Sequence, residues 1–151
     1  MALVELALPG AAELELRLIV PLGRYVLAEA CRQAASWAAM HSTGEQLRMS
    51  VNVSAKQLVQ PGWSDEVAQV LAESGLAPRQ LVLEITESVL MDDADATAVR
   101  LEELRRLGVR IAIDDFGTGY SSLGYLRRLP VDILKIDKSF IDGVAEGPHE
   151  S

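Results

Sequence analysis

The sequence predicts an α/β fold of parallel strands alternating with covering helices, and three observations carry that expectation. Short apolar, β-branched runs alternate strictly with segments of helical spacing. The runs are apolar nearly throughout, rather than at every second residue, as in strands covered on both faces. Each run also ends near a polar residue: Asn52, Glu84, Asp114 with Asp115, and Lys135.

Residues 1–18 mix Leu and Ala with Glu5, Glu13 and Glu15 around a Pro9-Gly10 break, and no motif attaches them to chemistry. From Pro21 to Met40, Tyr25, Val26, Ala30, Ala34 and Trp37 keep an approximately helical spacing, which predicts one helix with Cys31 packed among its alanines. His41 reads as a helix-end cap or a solvated residue, and no role is assigned to it. Residues 48–54 form the first expected strand, and Ser64 is the expected N-cap of a helix running to Gly75. Residues 80–88 form the second strand. Asp92 or Asp93 starts a helix whose Val99, Leu101, Leu104 and Leu107 end at Gly108. Residues 109–115 form the third strand, residues 121–129 a short helix stopped by Pro130, and residues 131–137 the fourth strand.

Composition limits what such a fold does. The chain has 151 residues, enough for one globular core, and a formal net charge of −8. That charge disfavours nonspecific binding to nucleic acid and suits carboxylates gathered around a cation. A single cysteine makes no internal disulfide, and no apolar run approaches the ~18 residues of a membrane span, so a cytoplasmic location is expected.

Taken singly, each strand-end polar residue is equally the first residue of a loop. Four in corresponding places are harder to dismiss, because the C-terminal strand ends of a parallel barrel form one functional face. Asn52, Glu84, Asp114 and Lys135 are separated by 32, 30 and 21 residues in turn, against the ~31 per βα unit of an eight-unit barrel. No Gly-x-Gly-x-x-Gly or Walker-type phosphate loop follows any strand, which argues against a nucleotide-binding doubly wound sheet. The expected architecture is therefore a partial TIM-like (β/α) barrel of about four parallel strands.

Three carboxylates and an amide oxygen are hard donors, suited to Mg²⁺ or Mn²⁺ and poor for zinc. Adjacent Asp114 and Asp115 suit a bridged pair of ions of the kind that clamps a phosphoryl group. Lys135 then neutralises a phosphate oxygen or holds attacking water. A Schiff-base role for Lys135 is less favoured, because surrounding carboxylates stabilise its charged form. The loop after Asp115 contains Gly117, Thr118, Gly119, Ser121 and Ser122, a composition that shapes a turn.

Four stretches of this sequence, Asn52-Val-Ser54 with Gln57-Leu58, Leu83-Glu-Ile-Thr-Glu-Ser88, Asp114-Asp-Phe-Gly-Thr-Gly-Tyr-Ser-Ser-Leu123 and Leu129-Pro-Val-Asp-Ile-Leu-Lys-Ile-Asp137, resemble in order the motifs of the EAL-domain family of bacterial cyclic di-GMP phosphodiesterases. The resemblance implies a modified TIM barrel. It implies that Asn52, Glu84 and Asp114 are metal ligands, that Asp115 serves a second metal and the catalytic site, and that Lys135 is a catalytic-site lysine. It also implies that Glu87 steadies the loop after Asp115. No substrate-binding residue is assigned.

The family's naming Glu-Ala-Leu motif, expected before Pro21, is not in the sequence, and neither are its later catalytic glutamate and glutamine. Glu146 comes only 11 residues after Lys135, too soon for another helix and strand, and reads as a loop residue. The expected organisation is an unassigned segment 1–18 followed by the central part of an EAL domain over residues 19–151. Two kinds of function follow. One is a fragment of a cyclic di-GMP phosphodiesterase, inactive alone and binding the dinucleotide weakly or not at all, whose missing half comes from a homodimer or a complementing EAL chain. The other is a degenerate module for binding or protein interaction, or a nonfunctional remnant, since an open half-barrel exposes strand edges.

Overall fold

The computed structural model describes residues 11–40, 47–92, 94–117 and 129–137. Its elements in chain order are α1 (Ala11–Met40), β1 (Met49–Asn52), α2 (Ala55–Leu58), α3 (Trp63–Ser74), a 3-10 turn (Pro78–Gln80), β2 (Leu81–Thr86), α4 (Val89–Asp92), α5 (Ala94–Arg106), β3 (Arg110–Phe116) and β4 (Ile133–Ile136). The expected helix over residues 121–129 lies outside the described residues except for Leu129, and His41 and Glu146 also lie outside them.

The four strands form one sheet in the order β1-β2-β3-β4, and every pair is parallel. Sequential strands are therefore spatial neighbours, the winding of a TIM-like barrel wall. β2 lies between β1 and β3 and is buried at Leu81, Val82, Leu83, Glu84 and Ile85. Burying each large apolar side chain contributes about 1.5–3 kcal/mol, so this strand has the apolar surplus to carry one carboxylate in its interior.

Helix α1 begins at Ala11, ten residues before the expected start at Pro21, which is enclosed within it. Proline at a first helical turn is the commoner pattern, and that preference misplaces the start here. The buried face of α1 includes Cys31 and Ala34 as expected but not the larger residues of the expected stripe. Leu27, Cys31 and Ala34, at i, i+4 and i+7, are buried, whereas Tyr25, Val26 and Trp37 are exposed. In α5 Leu101 and Leu104 are buried as expected, with Thr97 beside them, but Val99 is 60% exposed. Val99 lies two residues from both Thr97 and Leu101, about 200° around the helix, on the opposite face.

Helix α3 starts one residue before Ser64, with Gly62 as its N-cap at φ +79° and no side-chain cap. Burial of Trp63 draws the first turn inward, and glycine supplies the left-handed backbone that this entry requires. Two short helices were not expected, α2 and α4. The first is closed by Ser54 and Gln57. Gln57 N donates to Ser54 Oγ at 3.3 Å, while Ser54 N donates to Gln57 Oε1 at 3.2 Å, which is a reciprocal capping box. Part of the Asn52 to Leu58 motif is thus structural rather than chemical.

Candidate functional site at the strand ends

The site is built around Glu84. In the ladder it stands level with Asn52 of β1 and Ala112 of β3, and its side chain is 5% exposed. Lys135 projects from β4, two strands away. Its Nζ donates to Glu84 Oε2 at 2.6 Å and lies 3.7 Å from Asp114 Oδ2. Ala112 pairs with Glu84 on one side and with Ile133 of β4 on the other, so no bulky side chain stands at that level of β3. The small residue leaves the lysine a route to the glutamate.

The Asp114-Asp115 step is shaped by the backbone. Pairing between β3 and β4 runs Ala112 with Ile133, Ile113 with Leu134, then Phe116 with Ile136, so three steps of β3 oppose two of β4. The extra residue makes a β-bulge, the device that re-aims side chains at barrel rims. Within it Asp115 adopts φ +54°, a left-handed conformation that Asp tolerates better than most residues. In a regular strand two consecutive carboxylates face opposite sides of the sheet, and the bulge breaks that alternation.

Glu87, 3% exposed, ties the turn beyond the bulge to β2. Its Oε2 accepts from Gly117 N at 2.8 Å, and its own backbone N donates to Asp114 O at 3.2 Å. Gly117 has φ +105°, which glycine adopts without a side-chain clash. One residue therefore holds both ends of the Asp114–Gly117 turn.

The charges are mutually stabilised. Burial pushes the Glu84 carboxyl up, but hydrogen bonds from Lys135 and Ser50 outweigh it and hold the group below its ordinary value. The hydrogen bond to Glu84 holds the Lys135 ammonium above its ordinary value, against a smaller opposing effect of burial, with Asp114 adding to the rise. Both groups are ionised at neutral pH.

The residues singled out in the sequence take these places. Asn52, Glu84, Asp114, Asp115 and Lys135 lie toward the C-terminal ends of four adjacent parallel strands. Distances bring Glu84, Lys135 and Asp114 together, and Asn52 joins through its register with Glu84. Among the described residues no three His, Cys, Asp or Glu side chains gather closely enough to hold an ion by themselves. The positive charge between the Glu84 and Asp114 carboxylates is the Lys135 ammonium. In kind, carboxylate and amide oxygens are donors suited to a hard divalent cation. Sequence reasoning missed Ser50, which helps hold the Glu84 carboxyl below its ordinary value. Its signal was its position two residues before Asn52, on the same face of β1.

A parallel βα sheet with a carboxylate and lysine cluster at its C-terminal edge defines the class, a TIM-like barrel with its candidate site at the strand ends. Residues 8–151 match the model of the EAL domain, and the chain belongs to the EAL-domain family. It is 50% identical over 134 residues to MucR of Pseudomonas aeruginosa, a bifunctional diguanylate cyclase/cyclic di-GMP phosphodiesterase, across 89% of this chain and 19% of that protein. It is 51% identical over 125 residues to the cyclic di-GMP phosphodiesterase NbdA of the same organism, across 82% of this chain and 16% of that protein. The fold matches the MucR phosphodiesterase in its c-di-GMP complex with a TM-score of 0.79 at 47% identity, covering 91% of this chain and 56% of that one. It matches the EAL domain of Mycobacterium smegmatis DcpA with a TM-score of 0.74 at 46% identity, covering 84% and 56% respectively. The chain thus spans a small share of the curated relatives and little more than half of these solved chains. Among its described residues no helix is long and apolar enough to cross a membrane.

Proposed function

We propose that this chain carries the central part of a cyclic di-GMP phosphodiesterase site, and that efficient turnover needs catalytic groups beyond those it supplies. The observation that supports this reading most is the Glu84, Lys135 and Asp114 constellation at the strand ends, in a fold similar to a phosphodiesterase solved in complex with c-di-GMP.

Asn52, Glu84, Asp114 and Asp115 would hold Mg²⁺ or Mn²⁺. When bound, such an ion supplies Lewis acidity at a phosphoryl oxygen and lowers the pKa of water. The chain's own contribution is positional and electrostatic. The Lys135 hydrogen bond keeps Glu84 ionised despite its burial and holds it in one place. Lys135, with its side chain 42% exposed, presents a cation that is also open to an anionic diester. The bulge at Asp115 and the Glu87 anchor keep the second carboxylate at the rim. The Glu-Ala-Leu motif and later glutamate, which the resemblance makes a further ligand and a general base, are not among these 151 residues, and a reaction run without a general base is typically slower by ~10² to 10⁴.

The test is to purify the chain with Mg²⁺ or Mn²⁺, titrate cyclic di-GMP by calorimetry, and follow linear dinucleotide formation, with Asp114→Asn as the control. Metal-dependent binding lost in Asp114→Asn, with little or no turnover, is expected. No binding with either metal refutes the site. Turnover at an ordinary enzymic rate of ~1 per second or more, abolished by Asp114→Asn, refutes the need for outside groups.

A further inference from the structure

The lysine of this site is carried by a weakly secured strand. β4 has four residues, of which Ile133 is half-buried and Leu134, Lys135 and Ile136 are exposed. Among the described residues it pairs only with β3, through a register interrupted by the bulge. Something must hold it at the height that puts Nζ 2.6 Å from Glu84.

The chain enters β4 through a tight turn at Pro130, in which Val131 N donates to Leu129 O at 2.9 Å. Asp132 then grips one residue of β3 twice. Its backbone N donates to Ile111 O at 2.9 Å, and its Oδ2 accepts from Ile111 N at 2.9 Å. In a regular parallel ladder the Ile111 N–H would donate to the carbonyl two residues before Asp132, that of Pro130. The turn diverts the chain there, and the Asp132 carboxylate supplies the acceptor instead. Ile111 is fully buried, so its N–H lacks the alternative of water. A charged acceptor makes the stronger bond.

We propose that Asp132 is a positioning residue for Lys135, setting the register of β4 on β3 through Ile111 and thereby the approach of the lysine to Glu84. The proposal deepens the phosphodiesterase reading and rests on it only for the lysine's role, not for the geometry.

Two NMR readouts on Asp132→Ala and Asp132→Asn of the full chain separate the proposal from that reading. The first is amide exchange at Ile111, with Leu83 in β2 as reference. The second is the slowly exchanging ammonium signal of Lys135, with its correlations to the Glu84 side chain. In Asp132→Ala, Ile111 should exchange about ten- to a hundredfold faster than in the parent and the Lys135–Glu84 correlations should weaken or vanish. Asp132→Asn, which retains an acceptor oxygen, should restore most of both. Loss of Ile111 protection with the Lys135–Glu84 correlations unchanged would make Asp132 a purely structural residue and overturn the proposal. Unchanged Ile111 exchange in Asp132→Ala would overturn it as well. If Asp132→Ala fails to fold, the Asn variant carries the test: parent-like Ile111 protection without the Lys135–Glu84 correlations would overturn the proposal. Failure of the chain to bind cyclic di-GMP would refute the functional reading and leave both readouts intact.

Discussion

Replacing Glu87 is the sharpest perturbation of the loop that follows the paired aspartates. Its carboxylate accepts from Gly117 N at 2.8 Å while its side chain is almost wholly removed from water. Hydrogen bonds to charged groups contribute about 1.5–3 kcal/mol and neutral ones about 0.5–1.5 kcal/mol. Glu87→Gln, which keeps the shape and removes the charge, should therefore weaken the anchor by about 1 kcal/mol and speed amide exchange at Gly117 about fivefold. Glu87→Ala removes the acceptor and adds a cavity, so exchange there should rise by a further factor of about ten. Leu83 and Ile113, in the sheet interior, should keep their relative protection in the Gln variant. Asp114 O is held by the Glu87 backbone N–H, which neither variant deletes, so Gly117 should respond before Asp114 does. Equal Gly117 exchange in the parent and both variants would refute the anchoring argument.

Three further outcomes are expected. Lys135→Met leaves the buried Glu84 carboxylate without its ion pair, which for fully buried pairs costs about 3–5 kcal/mol; with the lysine 42% exposed the expectation falls to about 1–3 kcal/mol by urea denaturation at pH 7. Glu84 is held below its ordinary value of 4.5, so its stabilising contribution is present above that pH and lost as pH falls through the folded value; the gap between parent and variant should narrow on acidification, and a gap that widens would refute the pairing. Gly23→Ala drives a Cβ into the amide end of Gln57, displacing a buried side chain that closes the α2 capping box. The lost cap and overpacking outweigh a helix-propensity gain of about 1 kcal/mol, and a net loss of about 1 kcal/mol should appear in denaturant melts; a stabilised variant would contradict the contact. Burial pushes the Cys31 thiol from 9.0 up to about 11, so it should resist a disulfide reagent at pH 8 until the chain is unfolded. Because its folded value is raised, its contribution to stability should be lost as pH rises from about 9 to about 11, and rapid native-state labelling at pH 8 would refute the burial.

Several features were legible in the residues alone. The alternation of apolar runs with helical segments, and a polar residue near each strand end, sufficed for a parallel α/β sheet with Asn52, Glu84, Asp114 and Lys135 at its C-terminal edge. Such features are local, since strand period, turn chemistry and chain order are written within a few residues of one another. Tertiary packing decided the rest. Which further residues of α1 and α5 are buried depended on what the sheet offers, so Leu27 and Thr97 are enclosed while Tyr25 and Val99 are not. The helical start at Ala11 overrode the usual meaning of Pro21. The pairing of Lys135 with Glu84 joins residues 51 apart in sequence through the small Ala112 between their strands, and no spacing rule contains it. The bulge at Asp115 and the grip of Asp132 on Ile111 arise only when β4 is laid against β3. Hydrogen-bond register is a property of two strands together, and neither strand's residues specify it alone.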